Sequence, residues 1–312
     1  MGAHWQKNMN VIAVVGPTAS GKSALAIEIA KQFSGEIITV DSRTIYRGMD
    51  IGTAKPQGKP QADGSLLSEG IFHWGLDLVN PDEEYSAALF KISAEQKIQE
   101  IISRGNLPVL VGGTGLWFDV LLRGLDVPAI GPNAELRKEL EQKTTEELRE
   151  LYGQMDPQGI SSIDTKNKRR LIRAIEVTKS GTLFSETRKR KPSPYETLWL
   201  GKEWPRAELF ARIDERVDLM MKQGFLKEVI FLKEKYGCAC PGMSGIGYKE
   251  LCQSLQEIFS LDQAIQETKK NTRHYAKRQQ IWFKRYKDIH WVKTKEEVYK
   301  HMQDFLETKQ PL

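Results

Sequence analysis

"VIAVVGPTASGKSALAIEIA", residues 11–30, joins an apolar run, an eight-residue Gly-x-x-x-x-Gly-Lys-Ser segment from Gly16 to Ser23, and a helical pattern. The unbroken apolar residues Val11–Val15 predict a buried strand, and the spacing from Lys22 to Phe33 predicts the helix that follows. Between them, Gly16 and Gly21 let the backbone curl so that amide N–H groups converge on an anion. The start of the helix adds its partial positive charge. Lys22 supplies a full charge, and Ser23 a hydroxyl of the kind that ligates Mg²⁺. The loop Gly16, Pro17, Thr18, Ala19, Ser20, Gly21, Lys22 and Ser23 therefore reads as a phosphate-binding site.

The neighbouring segments extend this into a fold. "EIITVDS" (36–42) and "LPVLVGG" (107–113) read as two further short buried strands, and "YSAALFKISAEQKIQEIISRG" (85–105) as a helix closed by Gly105. Strands alternating with helices imply an α/β fold, a P-loop NTPase-like parallel sheet flanked by helices. In such sheets the C-terminal strand ends gather the ligand, here delivering Gly16–Ser23, Asp41-Ser42 and Gly112-Gly113-Thr114 to one edge. Residues 1–127 are read as the first part of this core. Residues 128–194 carry a charged helical texture with no strand-like run and are expected to form an all-helical insertion, ending in the basic loop "RKRKPSPY" (188–195). Residues 195–312 are expected to complete the core with long amphipathic helices, including the basic stretch 261–286, and a last strand in "IHWVKT" (289–294).

Charge separates the candidate functions. The net charge is +5, yet Thr165–Lys191 and Lys269–Lys287 each carry +8, leaving −11 on the remainder. Two concentrated basic stretches on an otherwise acidic chain point to a polyanion partner, with two solvated helix faces as the alternative. No apolar stretch approaches the ~20 residues needed to cross a bilayer, and the first residues lack a secretory apolar core, so no membrane association and a cytoplasmic location are expected. Three cysteines, Cys238, Cys240 and Cys252, predict reduced thiols; Cys238-Ala-Cys240 is not a zinc spacing. His73 and His274 read as packing residues, and Met220, Met221 and Met243 as core fillers. Tyr275, Trp282, Phe283 and Tyr286 lie among cations and suit base stacking, with core packing the alternative for Trp282 and Phe283.

A nucleotide hydrolase places a carboxylate at the end of a second apolar strand to hold Mg²⁺. The natural strand here ends in Gly112-Gly113-Thr114, without an acid; the acid stands instead at Asp41. A carboxylate facing a phosphate loop suits a general base that deprotonates an acceptor. Group transfer is thus favoured over hydrolysis, with an ATP-dependent small-molecule kinase as the alternative.

"GPTASGKS" (16–23), "DSRTIYRGMDIGTAKP" (41–56), "GGTGLWF" (112–118), "RRLIRAIEV" (169–177), "ARIDERVDLMMKQGFLKEV" (211–229), "GIGYKE" (245–250) and "TRHYAKRQQIWFKR" (272–285) resemble, in this order, the bacterial-type tRNA dimethylallyltransferases, also called tRNA isopentenyltransferases or IPP transferases. The resemblance runs from Val11 to about Trp291. It implies transfer of a dimethylallyl group from dimethylallyl diphosphate to the exocyclic amine of the adenine 3′-adjacent to the anticodon, in tRNAs reading codons that begin with U. Diphosphate leaves, and the expected cofactor is Mg²⁺.

The resemblance also implies roles. Asp41 is the base, Thr18 bonds the bridging oxygen, Lys22 and Arg212 neutralise the diphosphate, and Ser23 helps hold Mg²⁺. Asp41, Ser42, Arg43 and Thr44 touch the tRNA, as do Arg169, Arg170, Leu171, Ile172 and Arg173, with Thr114 near the extruded base. The stretch from Pro132 to Arg190 matches the insertion that grips the anticodon stem-loop, and a monomer is expected. Thr44 stands where many members carry Gln, and Lys166-Asn167 where Asn-Asp is usual.

Overall fold

The computed structural model describes residues 9–307 apart from 129, 132 and 188, so Pro132 and Arg188 lie outside the described residues. In chain order β1 (Met9–Val15) leads into α1 (Lys22–Gln32) and β2 (Gly35–Val40). Then come β3 (Lys59–Pro60), β4 (Leu66–Ser68), β5 (Ile71–Trp74), α2 (Ala87–Ser103), β6 (Leu107–Gly112) and α3 (Gly115–Leu122). Four helices follow, α4 (Ala134–Glu141), α5 (Thr145–Met155), α6 (Gly159–Ser162) and α7 (Lys168–Lys179). The chain continues with β7 (Tyr195–Gly201), α8 (Arg206–Lys222), α9 (Phe225–Tyr236) and α10 (Tyr248–Leu255). It ends with α11 (Leu261–Lys284), β8 (Ile289–Trp291) and α12 (Lys295–Glu307).

These elements divide between two compact units. The larger takes in the chain up to Tyr85, Ser93–Phe118 and the chain from Pro194 on; the smaller takes in Ser86–Ile92 and Asp119–Ser193.

The larger unit is built on one sheet in the order β3-β4-β5-β2-β6-β1-β7-β8. β1 lies parallel to β6 with Ile12 opposite Val109, and parallel to β7 with Ile12 opposite Leu198. β2 pairs parallel to β6, Val40 opposite Gly112. The C-terminal ends of β2, β6 and β1 therefore stand side by side, as the alternation of strands and helices predicts. Val11–Val15 are fully buried, as a strand covered on both faces must be. Ile12 and Val14 meet Leu25, Ile27 and Ile29 of α1 and Met302 of α12 in one core cluster.

Three features depart from the sequence expectations. The sheet edge is antiparallel: β4 and β5 form a hairpin turning through Glu69 (φ 51) and Gly70 (φ 82), the twisted two-residue turn that suits paired strands. β7 was not expected as a strand; it starts at Tyr195, the last residue of the segment read as a basic loop, and buries Leu198, Trp199 and Leu200. Finally, the expected set of reduced thiols is corrected. Cys238 and Cys252 form a disulfide because the end of α9 and the body of α10 bring their Cα atoms to 5.9 Å, and Cys240 alone remains a buried thiol.

In the smaller unit α4, α5 and α7 pack around Leu140, Leu148, Tyr152, Leu171 and Ile175. Each of these helices starts on a side-chain cap: Asn133, Thr144 in a reciprocal box with Glu147, and Asn167, which accepts the N–H of Arg170. Asn167 thus begins α7 where the usual Asn-Asp pair is missing. Buried Asp156 accepts from the Tyr152 hydroxyl, the Gly159 N–H, and the N–H and hydroxyl of Ser185. Burial would raise its carboxyl, but these bonds outweigh it and hold the pKa below the usual carboxylate value. Among the described residues no helix is long and apolar enough to cross a membrane.

Candidate active site

The phosphate loop is shaped by its own residues. Gly16 has φ +153, and any side chain there would run into the carbonyl of Lys202, so the loop passes hard against the end of β7. Gly21 precedes α1 with φ +86, and no side chain caps the helix, so its first N–H groups are left for an anion. Lys22 Nζ donates to the Pro17 carbonyl at 3.2 Å. Burial and the Arg216 guanidinium push the Lys22 pKa down to about 8, with Asp41 pulling it back up. Arg212 Nε donates to the Ala19 carbonyl at 2.9 Å and stacks over Trp204, whose indole N–H donates to the Ser20 carbonyl at 2.9 Å. A cavity of about 440 Å³ opens here between Lys22, exposed Ser23, Arg212, Glu215 and Arg216.

Thr18 is held at two atoms. Its N–H donates to Gln279 Oε1 at 2.8 Å, and its hydroxyl oxygen accepts from Arg216 Nη1 at 3.4 Å.

Asp41 follows directly on β2. Its Oδ1 accepts the Arg43 N–H at 2.8 Å, and its charge acts on both Lys22 and Arg216, which places it within electrostatic reach of the loop. The Ser42 N–H donates to Thr114 Oγ1 at 3.1 Å, and the hydroxyl of buried Thr44 faces the Asp41 carbonyl at 3.5 Å. The Arg43 guanidinium donates to the Pro241 carbonyl at 3.1 Å and to Ser244 Oγ at 3.2 Å. Tyr275 shares a hydrogen bond with Thr114; burial and the Asp41 charge push its phenol well above the usual value. Loop, carboxylate and Gly113-Thr114 turn thus meet at one sheet edge, and this edge can hold a phosphorylated donor beside a proton acceptor.

Sequence reasoning missed Arg216 and Gln279. Arg216 lies four residues after Arg212, on the same helical face, which was the available signal. The "DIGTAKP" segment has a structural cause as well. Glu228 accepts the N–H groups of Asp50, Ile51 and Gly52 at 3.0, 2.7 and 3.1 Å and the Tyr248 hydroxyl at 2.6 Å. Lys55 is tied to Tyr46, Asp50 and Asp77. Ala54 follows on from that anchored turn and borders the cavity beside Lys22.

In the smaller unit Arg169 and Arg170 are exposed on α7. Leu171 and Ile172, expected at the RNA, are 0% and 6% exposed and pack their side chains in the core, because they lie on the inward stripe of an amphipathic helix. Arg173 is engaged by Glu176 at 2.6 Å and by the Ile130 carbonyl at 2.7 Å. On α11, Phe283 is buried edge-on against Phe118, and Trp282 packs over Gly115 with Arg285 on its ring at 3.9 Å. His73 is buried and His274 exposed; Met220 and Met243 are buried as core fillers.

Among the described residues no group of three or more His, Cys, Asp or Glu side chains is arranged to hold a metal. Ser23 and Glu215 both line the cavity, and a hydroxyl and a carboxylate are oxygen donors of the kind Mg²⁺ takes.

Comparison with known proteins gives a consistent answer. The IPP transferase family model matches residues 44–286, and an isopentenyl transferase model matches residues 9–63. A tRNA dimethylallyltransferase of Herpetosiphon aurantiacus is 43% identical over 281 residues, 88% of this chain and 87% of the relative. One of Acetivibrio thermocellus is 41% identical over 313 residues, 96% of this chain and 98% of the relative. The crystal structure of the full-length tRNA isopentenylpyrophosphate transferase of Bacillus halodurans is similar at TM-score 0.70 and 34% identity, covering 97% of this chain and 98% of that one. A eukaryotic dimethylallyltransferase, described as acting on tRNA, is similar at TM-score 0.78 and 27% identity, covering 98% of this chain and 81% of that one.

Proposed function

We propose, from the premise that the chain belongs to the IPP transferase family, that it transfers a dimethylallyl group from dimethylallyl diphosphate to tRNA. The acceptor is the exocyclic amine of the adenine 3′-adjacent to the anticodon in tRNAs reading codons that begin with U. One observation carries the reading: Asp41 stands at the end of β2, within electrostatic reach of Lys22 and Arg216, while β6 ends in Gly112 followed by Gly113-Thr114 with no acid. The alternative, an ATP-dependent small-molecule kinase, is not favoured, since the relatives above are named for dimethylallyl transfer to tRNA.

In the reaction the amine nitrogen forms a bond to C1 of the allyl group as the C1–O bond to diphosphate breaks, and Asp41 takes the amine proton. The allylic carbon tolerates positive charge, so stabilising the departing diphosphate supplies most of the acceleration. Lys22, Arg216, Arg212 and the free N–H groups at the start of α1 do this, and the Thr18 hydroxyl is the group assigned to the bridging oxygen. Ser23 would hold Mg²⁺ together with the donor phosphates, and the ion would neutralise diphosphate charge. The adenine must first leave its stack, at a few kcal/mol. Phosphate contacts from Arg169, Arg170 and the cations of α11 offset this. A monomer acting in the cytoplasm on the anticodon stem-loop completes the reading.

The test is incubation with tRNA and either dimethylallyl diphosphate or ATP, with the nucleoside products weighed. A gain of one C5H8 unit on adenosine supports transfer; a phosphoryl gain from ATP, or no product, overturns it.

A further inference from the structure

The side-chain amide of Gln279 is paired at both ends. Its Oε1 accepts the Thr18 N–H at 2.8 Å, and its Nε2 donates to the Gly113 carbonyl at 2.9 Å. Both partners are backbone groups of fixed polarity, so the orientation of the amide is unambiguous. The residue is 4% exposed, and Gly113 has no room for a side chain because Gln279 Nε2 occupies the place a Cβ would take. Tyr275, four residues earlier, reaches Thr114, and Trp282, three residues later, lies on Gly115. One stripe of α11 therefore lies along the 113–115 turn, and Gln279 extends from it to the phosphate loop.

In a phosphate loop the backbone N–H groups ordinarily face the anion. At Thr18 that N–H is given to Gln279 instead, and the hydroxyl is left to face Arg216. We propose that Gln279 is a positioning residue for the transfer: by holding the Thr18 backbone it sets where the Thr18 hydroxyl meets the oxygen of the breaking bond. This rests on the reading that the loop holds the donor diphosphate. A carboxylate at 279 keeps the bond from Thr18 but loses the donation to Gly113; a protonated carboxyl restores it.

The experiment uses Gln279→Glu and Gln279→Met, each alone and combined with Thr18→Ala, with kcat and KM for both substrates measured from pH 6 to 8.5. Each single variant at 279 should lower kcat about 10- to 100-fold, as a small misplacement of a reacting group does, with the tRNA KM unchanged within about twofold. In the Thr18→Ala background the same substitutions should cost less than about twofold, because the group they position is gone. Losses that multiply in the double variants overturn the proposal while leaving the donor-site reading intact. A Thr18→Ala variant with wild-type kcat overturns both.

Discussion

The carboxylate of Asp41 accepts the backbone N–H of Arg43 at 2.8 Å, so one of its oxygens serves the turn. The other has no hydrogen-bond partner among the described residues, and it is the oxygen to which the proposed transfer gives the amine proton. In Asp41→Asn the amide oxygen still accepts from Arg43, so the turn is kept and the base is lost. The expected outcome is a kcat about 10²–10⁴-fold lower, with tRNA affinity in a filter-binding assay within about twofold of wild type. Unchanged turnover would falsify the assignment of the base.

Lys22 is neutralised unusually early, at about 8, by burial and by Arg216. Below that pH it is charged, as the proposed binding of diphosphate requires; above it the charge is lost. The KM for dimethylallyl diphosphate should therefore rise between pH 7 and 9, approaching about tenfold per pH unit above the pKa. Lys22→Ala should be slower by about 10²–10³-fold, comparable to losing one oxyanion donor, and should lack this rise. Initial rates at graded donor concentrations across the pH range decide it.

Arg216 and Arg212 share a helix face but differ in setting. Arg216 reaches the Thr18 hydroxyl and is desolvated, which lowers its pKa, whereas Arg212 is exposed and held by Ala19 and Trp204. Arg216→Ala should lower kcat by about 10²–10³-fold. Arg212→Ala should act mainly on the donor KM. Equal kcat losses in the two variants would count against this division of roles.

His73 is 3% exposed, and burial pushes its pKa down to about 4, against a weak upward pull from Glu69. The unfolded chain binds a proton near pH 6.5 that the folded chain refuses, so stability falls as pH drops through 6.5 and stops falling below about 4. The full loss is about 3 kcal/mol, at 1.36 kcal/mol per pKa unit. Urea midpoints at pH 7, 5.5 and 4.5 should converge in His73→Phe relative to wild type; an equally steep acid slope in the variant would refute the assignment.

Residues 16–23, 41–44 and 112–114 were legible because each segment carries its own requirement. An apolar run buries itself as a strand, two glycines permit the loop, and the polar residues just beyond each strand must lie at the sheet edge. The burial of Leu171 and Ile172 was legible too, in the spacing of α7, though the two residues were read as part of an RNA surface. The hairpin at the sheet edge was marked only by Glu69-Gly70, and β7 by an apolar run too short to separate from the loop before it. The sequence alone determined that a phosphate loop and a carboxylate share one edge of a parallel sheet. The tertiary structure decided the distant contacts: Gln279 reaches Thr18 across 261 residues, Glu228 anchors the turn at Asp50–Gly52, and Cys238 is bonded to Cys252. Local patterns record the backbone each segment needs. A bond between distant side chains depends on where whole helices pack, and that is set by the burial of the entire core.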